Sequence, residues 1–113
     1  IPEMTVVGHN TATIRESLLE KAFELGERFI TASKEHYDPG IIGPFCLQTC
    51  IDKDMNYYIY DVAPRLGGGT NVHVSVGHPY GNATWRKPMS SGRRIAMELR
   101  MAAEQDRLLE VLT

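Results

Sequence analysis

Apolar and charged residues alternate with a helical period early in the chain. Thr13 followed by Glu16 has the form of a capping box, with Thr as the N-cap and Glu reaching back to it. The face that these turns would bury consists of Ile14, Leu18, Ala22, Leu25, Phe29 and Ile30. The pattern predicts a helix that begins at Thr13 and ends between Ser33 and His36, before the helix-breaking residues 38–40.

The same spacing predicts a second long helix near the carboxyl end. Ser90 or Ser91 can serve as its N-cap, and the helix then runs to about Glu104. Its buried side would consist of Ile95, Leu99 and Ala102. A short apolar turn is predicted after it.

Between the two helices, two runs of β-forming residues flank a polar cluster. Residues 43–51 and 57–62 are typical of strands, and residues 52–56 are typical of the turn that joins them. The sequence therefore predicts an antiparallel hairpin at the centre of the chain.

Three shorter segments complete the secondary-structure prediction. Residues 4–8 are expected to form a short strand, residues 72–76 a third strand with its valines on one face, and residues 77–82 an irregular connection. This order of elements predicts the α+β class, with a mostly antiparallel sheet and flanking helices. Residues 1–113 are taken as one domain, long enough to bury a core.

Composition and charge narrow the possible partners. The chain is 42% hydrophobic and 23% charged, as in an ordinary globular protein, and its net charge of −2 argues against a nucleic-acid surface. Its apolar runs are too short to span a membrane. Cys46 and Cys50 would lie about 13 Å apart along one strand, too far for a disulfide, and free thiols fit a reducing cytoplasm. A zinc site that adds His73 and His78 is conceivable, although the spacing matches no standard motif.

Candidate chemistry begins on the hairpin. If the turn is centred on Asp54 and Met55, Gln48 lies directly opposite Asp61, and opposed residues of antiparallel strands point to the same face. Their oxygen atoms would then converge, an arrangement that suits a hard cation such as Mg²⁺. Taken alone, two polar residues on the solvent face of a hairpin are better explained as ordinary surface residues than as metal ligands.

The residues that follow the second strand strengthen the metal interpretation. Arg65 comes four residues after Asp61 and immediately precedes a loop that contains Gly67, Gly68 and Gly69. Glycine backbone can approach a phosphate closely, and an arginine can bind it through two hydrogen bonds. A flexible surface loop is the alternative for the glycines by themselves.

Several blocks of this sequence, in this order, resemble ATP-grasp ligases. More narrowly, they resemble the carboxy-terminal domain of the archaeal-type formate-dependent 5-formaminoimidazole-4-carboxamide ribonucleotide synthetases. The blocks are residues 15–19, 43–48, 61–65, 68–71, 77–80 and 88–96. The resemblance extends from about Thr5 to the end, and it implies the carboxy-terminal part of an ATP-grasp fold.

The resemblance implies a carbon–nitrogen ligase of purine (IMP) biosynthesis. Such an enzyme uses ATP to convert formate into formyl phosphate, and the 5-amino group of aminoimidazole carboxamide ribonucleotide then attacks it. The implied cofactor is Mg²⁺ or Mn²⁺, with ATP as co-substrate, in a cytoplasmic protein that forms a homo-oligomer. The remaining parts of the ATP pocket would belong to the rest of the enzyme, so the 113 residues alone are expected to be inactive.

The resemblance also implies roles for individual residues. Gln48 and Asp61 match the metal ligands, Arg65 matches an arginine that acts on phosphate in catalysis, and His9 and Asn10 match the segment that binds the ribonucleotide. The implied phosphate- and nucleotide-binding residues are Gly68, Gly69, Thr70 and Asn71. One departure concerns Ala63, which stands where ATP-grasp enzymes in general carry an Asn ligand.

Two other functions are compatible with the sequence. On an ungapped match His9 stands where the resembled family carries an Asn, and this departure and the one at Ala63 leave room for an ATP-grasp paralogue that joins another carboxylate to another amine. A binding or assembly module without catalysis is the alternative from a different class. Binding of the ribonucleotide, of nucleotide alone, or of neither would distinguish the three.

Overall fold

A computed structural model describes residues 1–3, 5–73, 76–77 and 79–112. Its longer elements are α1 (Leu19–His36), β1 (Cys46–Ile51), β2 (Tyr57–Ala63), α2 (Pro79–Trp85) and α3 (Ser91–Glu104). Short 3₁₀ helices occupy Glu16–Leu18, Gly68–His73 and Leu108–Glu110. The described residues contain a two-stranded antiparallel sheet accompanied by helices, which confirms the α+β class.

The first predicted helix is right in its body and end but wrong at its start. Residues 11–15 have no regular structure, and a 3₁₀ turn leads into α1. Arg15 is extended, with φ −60° and ψ 143°, so the helix cannot include Thr13, and the predicted capping box does not form. At the other end, the Tyr37 N–H donates to the Ser33 carbonyl (2.9 Å), and the Ser33 hydroxyl accepts from the Ile41 N–H (3.0 Å).

The predicted hairpin is confirmed, together with the pairing of Gln48 with Asp61. Next to the turn, however, Thr49 pairs with Ile59, and this register alone would place Gln48 opposite Tyr60. An irregularity between Gln48 and Thr49 shifts the register by one residue, which makes Tyr60 the extra residue of a β-bulge. Beside the turn the register therefore differs by one residue from the predicted one, and the bulge restores the predicted pairing of Gln48 with Asp61.

A single carboxylate organises the hairpin turn. Asp52 Oδ1 accepts from the backbone N–H groups of Asp54 and Asn56, both at 2.9 Å, and Oδ2 accepts from Asn56 Nδ2 and the Tyr58 hydroxyl. These bonds, the Asn56 backbone bond foremost, hold the pKa of Asp52 below its usual range. The associated stabilisation is present above the ordinary Asp pKa of about 3.9 and is lost as the pH falls through the lowered value.

One long-range hydrogen bond connects the hairpin to the start of α1. The Tyr57 hydroxyl donates to the Leu18 carbonyl at 3.0 Å, across 39 residues of sequence. Tyr57→Phe is therefore expected to lower the free energy of unfolding of the intact protein by about 1 kcal/mol. Tyr60→Phe is the control, because Tyr60 is 65% exposed, and it should change stability by less than about 0.5 kcal/mol. Urea denaturation measures both, and equal effects of the two changes would contradict the importance of this bond.

The predictions for residues 4–8 and 72–82 are wrong wherever the structure describes them. Residues 5–8 have no regular structure, Val72 and His73 end a 3₁₀ helix, and α2 occupies the region predicted to be irregular. The β-branched valines favour a strand locally, but the glycines before them close a 3₁₀ turn instead. Pro79 is suited to the first position of a helix, where no N–H is required. Met4, Val74, Ser75 and His78 lie outside the described residues.

The Asn82 side chain in α2 links the segment that precedes α2 to the segment that precedes α3. Asn82 Nδ2 donates to the Val76 carbonyl (2.8 Å), and Asn82 Oδ1 accepts from the Met89 N–H (3.2 Å), which also reaches the Val76 carbonyl. Gly77 is buried beside these hydrogen bonds and has φ +74°. The predicted N-cap of α3 is confirmed at Ser90, whose hydroxyl accepts from the Arg93 N–H at 3.2 Å.

The described residues bury little apolar surface among themselves. Only Ala63, Met89 and Ala102 among the described hydrophobic residues are buried, and α1 contributes no buried residue. The radius of gyration is 16.1 Å, whereas a compact chain of this length has one of about 13 Å. The accessible surface is 9324 Å², against roughly 6,200 Å² for a compact protein of this mass. The amphipathic faces are therefore formed but largely uncovered.

Within the described part of the chain, no helix combines the length and the apolar character needed to cross a membrane.

Candidate functional site

The predicted metal ligands lie on neighbouring strands at the bulged part of the hairpin. Gln48 on β1 is half-buried, and Asp61 on β2 is exposed and directly opposite it. Directly opposed residues project to the same face, so the amide and the carboxylate leave the sheet on one side. Asp61 forms no ion pair with any described residue, which leaves its carboxylate available to a cation.

Two oxygen donors fit part of a magnesium shell. Mg²⁺ commonly takes one or two protein ligands and completes its octahedron with water and substrate phosphate. Among the described residues, no cluster of three or more His, Cys, Asp or Glu side chains could hold a metal by itself. Of the residues in the alternative zinc site, Cys46 and Cys50 are free thiols, and His78 lies outside the described residues.

Ala63, the predicted departure from the ATP-grasp pattern, occupies a buried position on β2. Ala63 pairs with Cys46 and is only 6% exposed, so its side chain packs inside the structure. An Asn there would bury a polar amide at a cost of about 1–3 kcal/mol unless it found partners. In this chain the small side chain of Ala63 is buried and contributes to packing.

Arg65 lies at the junction between β2 and the glycine loop. It is exposed, and its Nη1 donates to the carbonyl of the next residue, Leu66, at 2.7 Å. No described carboxylate forms an ion pair with it. The guanidinium is thus placed beside the loop with its charge unpaired, as an anion-binding arginine requires.

The glycine loop is a 3₁₀ turn pressed against β1. The Thr70 N–H donates to the Gly67 carbonyl at 3.0 Å. A Cβ at Gly67 would lie 2.7 Å from Cys46 Sγ, so a larger residue there would have to displace the Cys46 side chain. Gly68 is exposed while Gly69 and Thr70 are half-buried, and Asn71 continues the same turn although its side chain lies outside the described part.

The amino-terminal segment reaches this loop from about 60 residues away in the sequence. A Cβ on Gly69 would lie 3.3 Å from His9 Cδ2, and one on Gly68 would lie 3.8 Å from His9 Cε1. The His9 imidazole therefore lies directly against both glycines, with Asn10 exposed beside it. The structure thus brings the predicted ribonucleotide-binding segment to the predicted phosphate loop.

An apolar groove adjoins the loop, and the sequence patterns do not predict it. It has a volume of about 1080 Å³, and Gly67 and Thr70 form part of its wall. Its apolar lining comes from several elements and includes Ile42, Phe45, Leu47, Leu66, Trp85, Ile95, Leu99, Val111 and Leu112. These residues come from separate regions of the chain, so no local pattern could have indicated the groove.

One wall of the groove carries a polar group of three side chains. The Arg94 guanidinium lies 5.8 Å from the centre of the Trp85 ring, and Arg94 Nε donates to Glu98 Oε1 at 3.1 Å. The Trp85 Nε1–H is shielded from solvent without an acceptor among the described residues. The Arg94 side chain is half-buried at this wall.

The family comparison covers the whole chain. A family model described as a domain of unknown function (DUF1297) matches residues 1–113.

Curated relatives match over nearly the same length. The chain is 43% identical over 112 residues to a protein of Saccharolobus solfataricus, 41% to one of Sulfurisphaera tokodaii and 38% to one of Methanobrevibacter smithii. Each is named 5-formaminoimidazole-4-carboxamide-1-(beta)-D-ribofuranosyl 5'-monophosphate synthetase. The matches cover 99% of this chain but only 33%, 33% and 31% of those relatives, so the chain spans about a third of their length. With a family model matched from its first residue to its last, the chain belongs to the DUF1297 family.

Proposed function

We propose that this chain is the carboxy-terminal, metal- and phosphate-binding part of an ATP-grasp ligase that joins formate to aminoimidazole carboxamide ribonucleotide. The observation that carries the proposal is the similarity of 99% of the chain to relatives named as the corresponding synthetase. The pairing of Gln48 with Asp61 and the contact of His9 with the glycine loop support it.

The proposed reaction has two steps. A formate oxygen attacks the γ-phosphorus of ATP, the bond to the bridging oxygen of ADP breaks, and formyl phosphate forms. The 5-amino nitrogen of the ribonucleotide then attacks the formyl carbon, phosphate leaves, and the nitrogen loses a proton. Positioning and charge stabilisation provide most of the catalysis in phosphoryl transfer, so no side-chain nucleophile is needed.

Each proposed residue contributes a contact to this sequence of steps. Gln48 and Asp61 supply oxygen donors for Mg²⁺ or Mn²⁺, which when bound would offset charge on the ATP phosphates. Arg65 exchanges its bond with the Leu66 carbonyl for a phosphate oxygen and stabilises the developing charge. His9 and Asn10 hydrogen-bond the ribonucleotide.

The glycine turn is proposed to hold phosphate through its backbone. Gly68 and Gly69 have no side chain to obstruct an approaching oxygen, and successive N–H groups of such a turn attract anions. Thr70 and Asn71 extend the same surface. Because His9 lies against these glycines, the amine of a ribonucleotide held near His9 would be close to formyl phosphate held by the turn.

The remaining components of catalysis are proposed to lie outside these 113 residues. An adenine pocket and a lysine for the phosphates are required by the proposed chemistry, and this chain matches only about a third of each relative. The isolated 113 residues are accordingly expected to release no ADP. The homo-oligomer remains a prediction.

The proposal is tested with the full-length protein. We expect ADP release that requires Mg²⁺, formate and aminoimidazole carboxamide ribonucleotide together, with the formamido product detected by mass spectrometry. Omitting formate or replacing it with acetate is the matched control and should reduce ADP release to background. ADP release that needs another carboxylate or amine would instead identify a paralogue, and binding of neither nucleotide nor ribonucleotide would leave a non-catalytic module.

A further inference from the structure

We infer that His9 is the base that removes the proton from the 5-amino nitrogen when that nitrogen attacks formyl phosphate. The inference rests on the proposed function, because it assigns a role in the second step of the proposed reaction. It goes beyond a hydrogen bond to the ribonucleotide, since it gives the two nitrogens of one imidazole ring separate tasks. Nε2 donates to the phosphate, and Nδ1 accepts the proton of the amine.

The orientation of the imidazole ring on the glycine turn is the first support. A Cβ on Gly69 would lie 3.3 Å from His9 Cδ2 and 3.8 Å from Cγ. A Cβ on Gly68 would lie 3.8 Å from Cε1 and 3.9 Å from Nε2, whereas Nδ1 comes within 4 Å of neither position. Nε2 is therefore the ring nitrogen closer to the turn that is proposed to hold phosphate, and Nδ1 is the one farther from it.

The availability of both ring nitrogens is the second support. His9 is exposed, and no hydrogen bond or ion pair joins it to another described residue. A neutral imidazole carries one N–H donor and one acceptor nitrogen, so Nε2 can donate to a phosphate oxygen while Nδ1 accepts a proton. Once Nδ1 is protonated, the ring is a cation beside the departing phosphate, and the attraction between the two charges favours the step.

The inferred step transfers one proton between two stated atoms. The 5-amino nitrogen forms a bond to the formyl carbon, and the bond from that carbon to the phosphate oxygen breaks, with its electron pair leaving on phosphate. The proton moves from the nitrogen to His9 Nδ1 and then to solvent water, which restores the neutral ring. An amine on an aromatic ring is a weak nucleophile, so removing its proton as the new bond forms lowers the barrier. A positioned base typically contributes about 10²–10⁴-fold to such a rate.

The other ionisable groups on the elements around the ring are less suited to this role. Residues 68–71 of the turn have no ionisable side chain. Arg65, which precedes the turn, is permanently cationic and cannot accept a proton. Cys46 contacts the loop at an earlier glycine, Glu3 is exposed earlier in the amino-terminal segment, and the side chain of His73 lies outside the described part. Among the described groups, the imidazole is therefore the base that lies directly on the turn.

Rapid-quench kinetics of the full-length protein test the inference. His9→Asn keeps a hydrogen-bonding side chain that cannot take up a proton, and His36→Asn, at an exposed histidine that ends α1, is the matched control. Reactions with Mg-ATP, formate and ribonucleotide are quenched into hydroxylamine, which traps formyl phosphate as formohydroxamate. In His9→Asn we expect the rate of the formamido product to fall by about 100-fold, while trapped formyl phosphate accumulates. The parent and His36→Asn should show no such accumulation.

The pH dependence is a second readout, which a merely structural role of His9 would not change. An imidazole that is already protonated cannot accept another proton, so the rate of product formation in the parent should fall as the pH is lowered from about 8 to 5. This acidic limb should be absent from His9→Asn and present in His36→Asn. His9→Gln is a second variant with the same expectation, and circular dichroism establishes that each variant is folded.

Three results would overturn the inference. The first is an equal loss of ADP and of formamido product in His9→Asn without trapped formyl phosphate, which would make His9 a binding residue only. The second is an acidic limb that persists in His9→Asn, which would assign the proton to the departing phosphate. The third is a rate like that of the parent. With an active parent, each contradicts only the role of His9, whereas a parent without formate-dependent ADP release would contradict the ligase proposal as well.

Discussion

Replacing Asp61 by Asn in the full-length protein is expected to lower formate-dependent ADP formation by about 100-fold or more. The exchange retains the size of the side chain and removes the negative charge that the proposed metal site takes from this chain. Gln48, its partner across the hairpin, is neutral, so no second carboxylate on the pair compensates. A 100-fold loss corresponds to about 2.7 kcal/mol of transition-state stabilisation, within the several kcal/mol available from a metal ion.

Asp54→Asn is the matched control for this change. Asp54 lies in the turn of the same hairpin and is exposed, and only its backbone N–H takes part in the Asp52 network. Its exchange should leave the rate within about twofold of the parent. Raising the magnesium concentration should restore part of the Asp61→Asn activity. If Asp61→Asn and Asp54→Asn have equal rates and equal magnesium dependence, Asp61 is not a metal ligand.

Gly77→Ala is expected to destabilise the protein severely, and by more than Tyr57→Phe. Gly77 has φ +74°, and a Cβ there would collide with the Met89 carbonyl group and approach Asn82 Oδ1 to 3.0 Å. Both obstacles belong to Asn82 and Met89, which are joined by a hydrogen bond between α2 and the segment before α3. Neither residue can move without breaking the hydrogen bonds of Asn82. The free energy of unfolding should fall by about 3 kcal/mol or more.

Gly92→Ala, in the neighbouring helix α3, is expected to stabilise the protein. Gly92 is the second residue of α3, and nothing lies within 4 Å of a Cβ placed there. Alanine favours helix over glycine by up to about 1 kcal/mol, so this variant should unfold at a higher denaturant concentration. Failure to obtain folded Gly77→Ala protein, with Gly92→Ala obtained normally, has the same meaning as a large destabilisation. Similar unfolding midpoints for the two would refute the close packing at Gly77.

Local sequence patterns predict the elements whose partners are near in sequence. The hairpin follows from two β-forming runs around a polar turn, and α3 follows from its spacing and a serine cap, which the structure places at Ser90. The predicted start of α1 is wrong because a capping-box pattern can occur without a helix, here because Arg15 is extended. The predicted strand at Val72 fails because β-propensity forms a strand only beside a partner, and the described sheet ends with β2.

The candidate site also has one part that the sequence predicts and another part that only the folded structure shows. Pattern and register bring Gln48 and Asp61 together, whereas the contact of His9 with Gly68 and Gly69 joins segments with no local relation. The resemblance to known ligases indicates His9 and the glycines separately, and only the folded structure shows that they lie side by side. The groove is lined jointly by β1, the loop, α2 and α3, and hydrophobic periodicity does not encode how these elements are placed together.

The bulge at Tyr60 makes the proposed metal site depend on the backbone of β2 and not only on side chains. If β2 kept Tyr60 but paired without the bulge, the register beside the turn would continue, Gln48 would face Tyr60, and Asp61 would face Leu47 on the opposite surface of the sheet. Deleting Tyr60 would instead make Asp61 follow Ile59 directly, so the pair with Gln48 would persist in a regular ladder. Tyr60 contributes no atom to the proposed site, so any amino acid that tolerates the bulge could replace it.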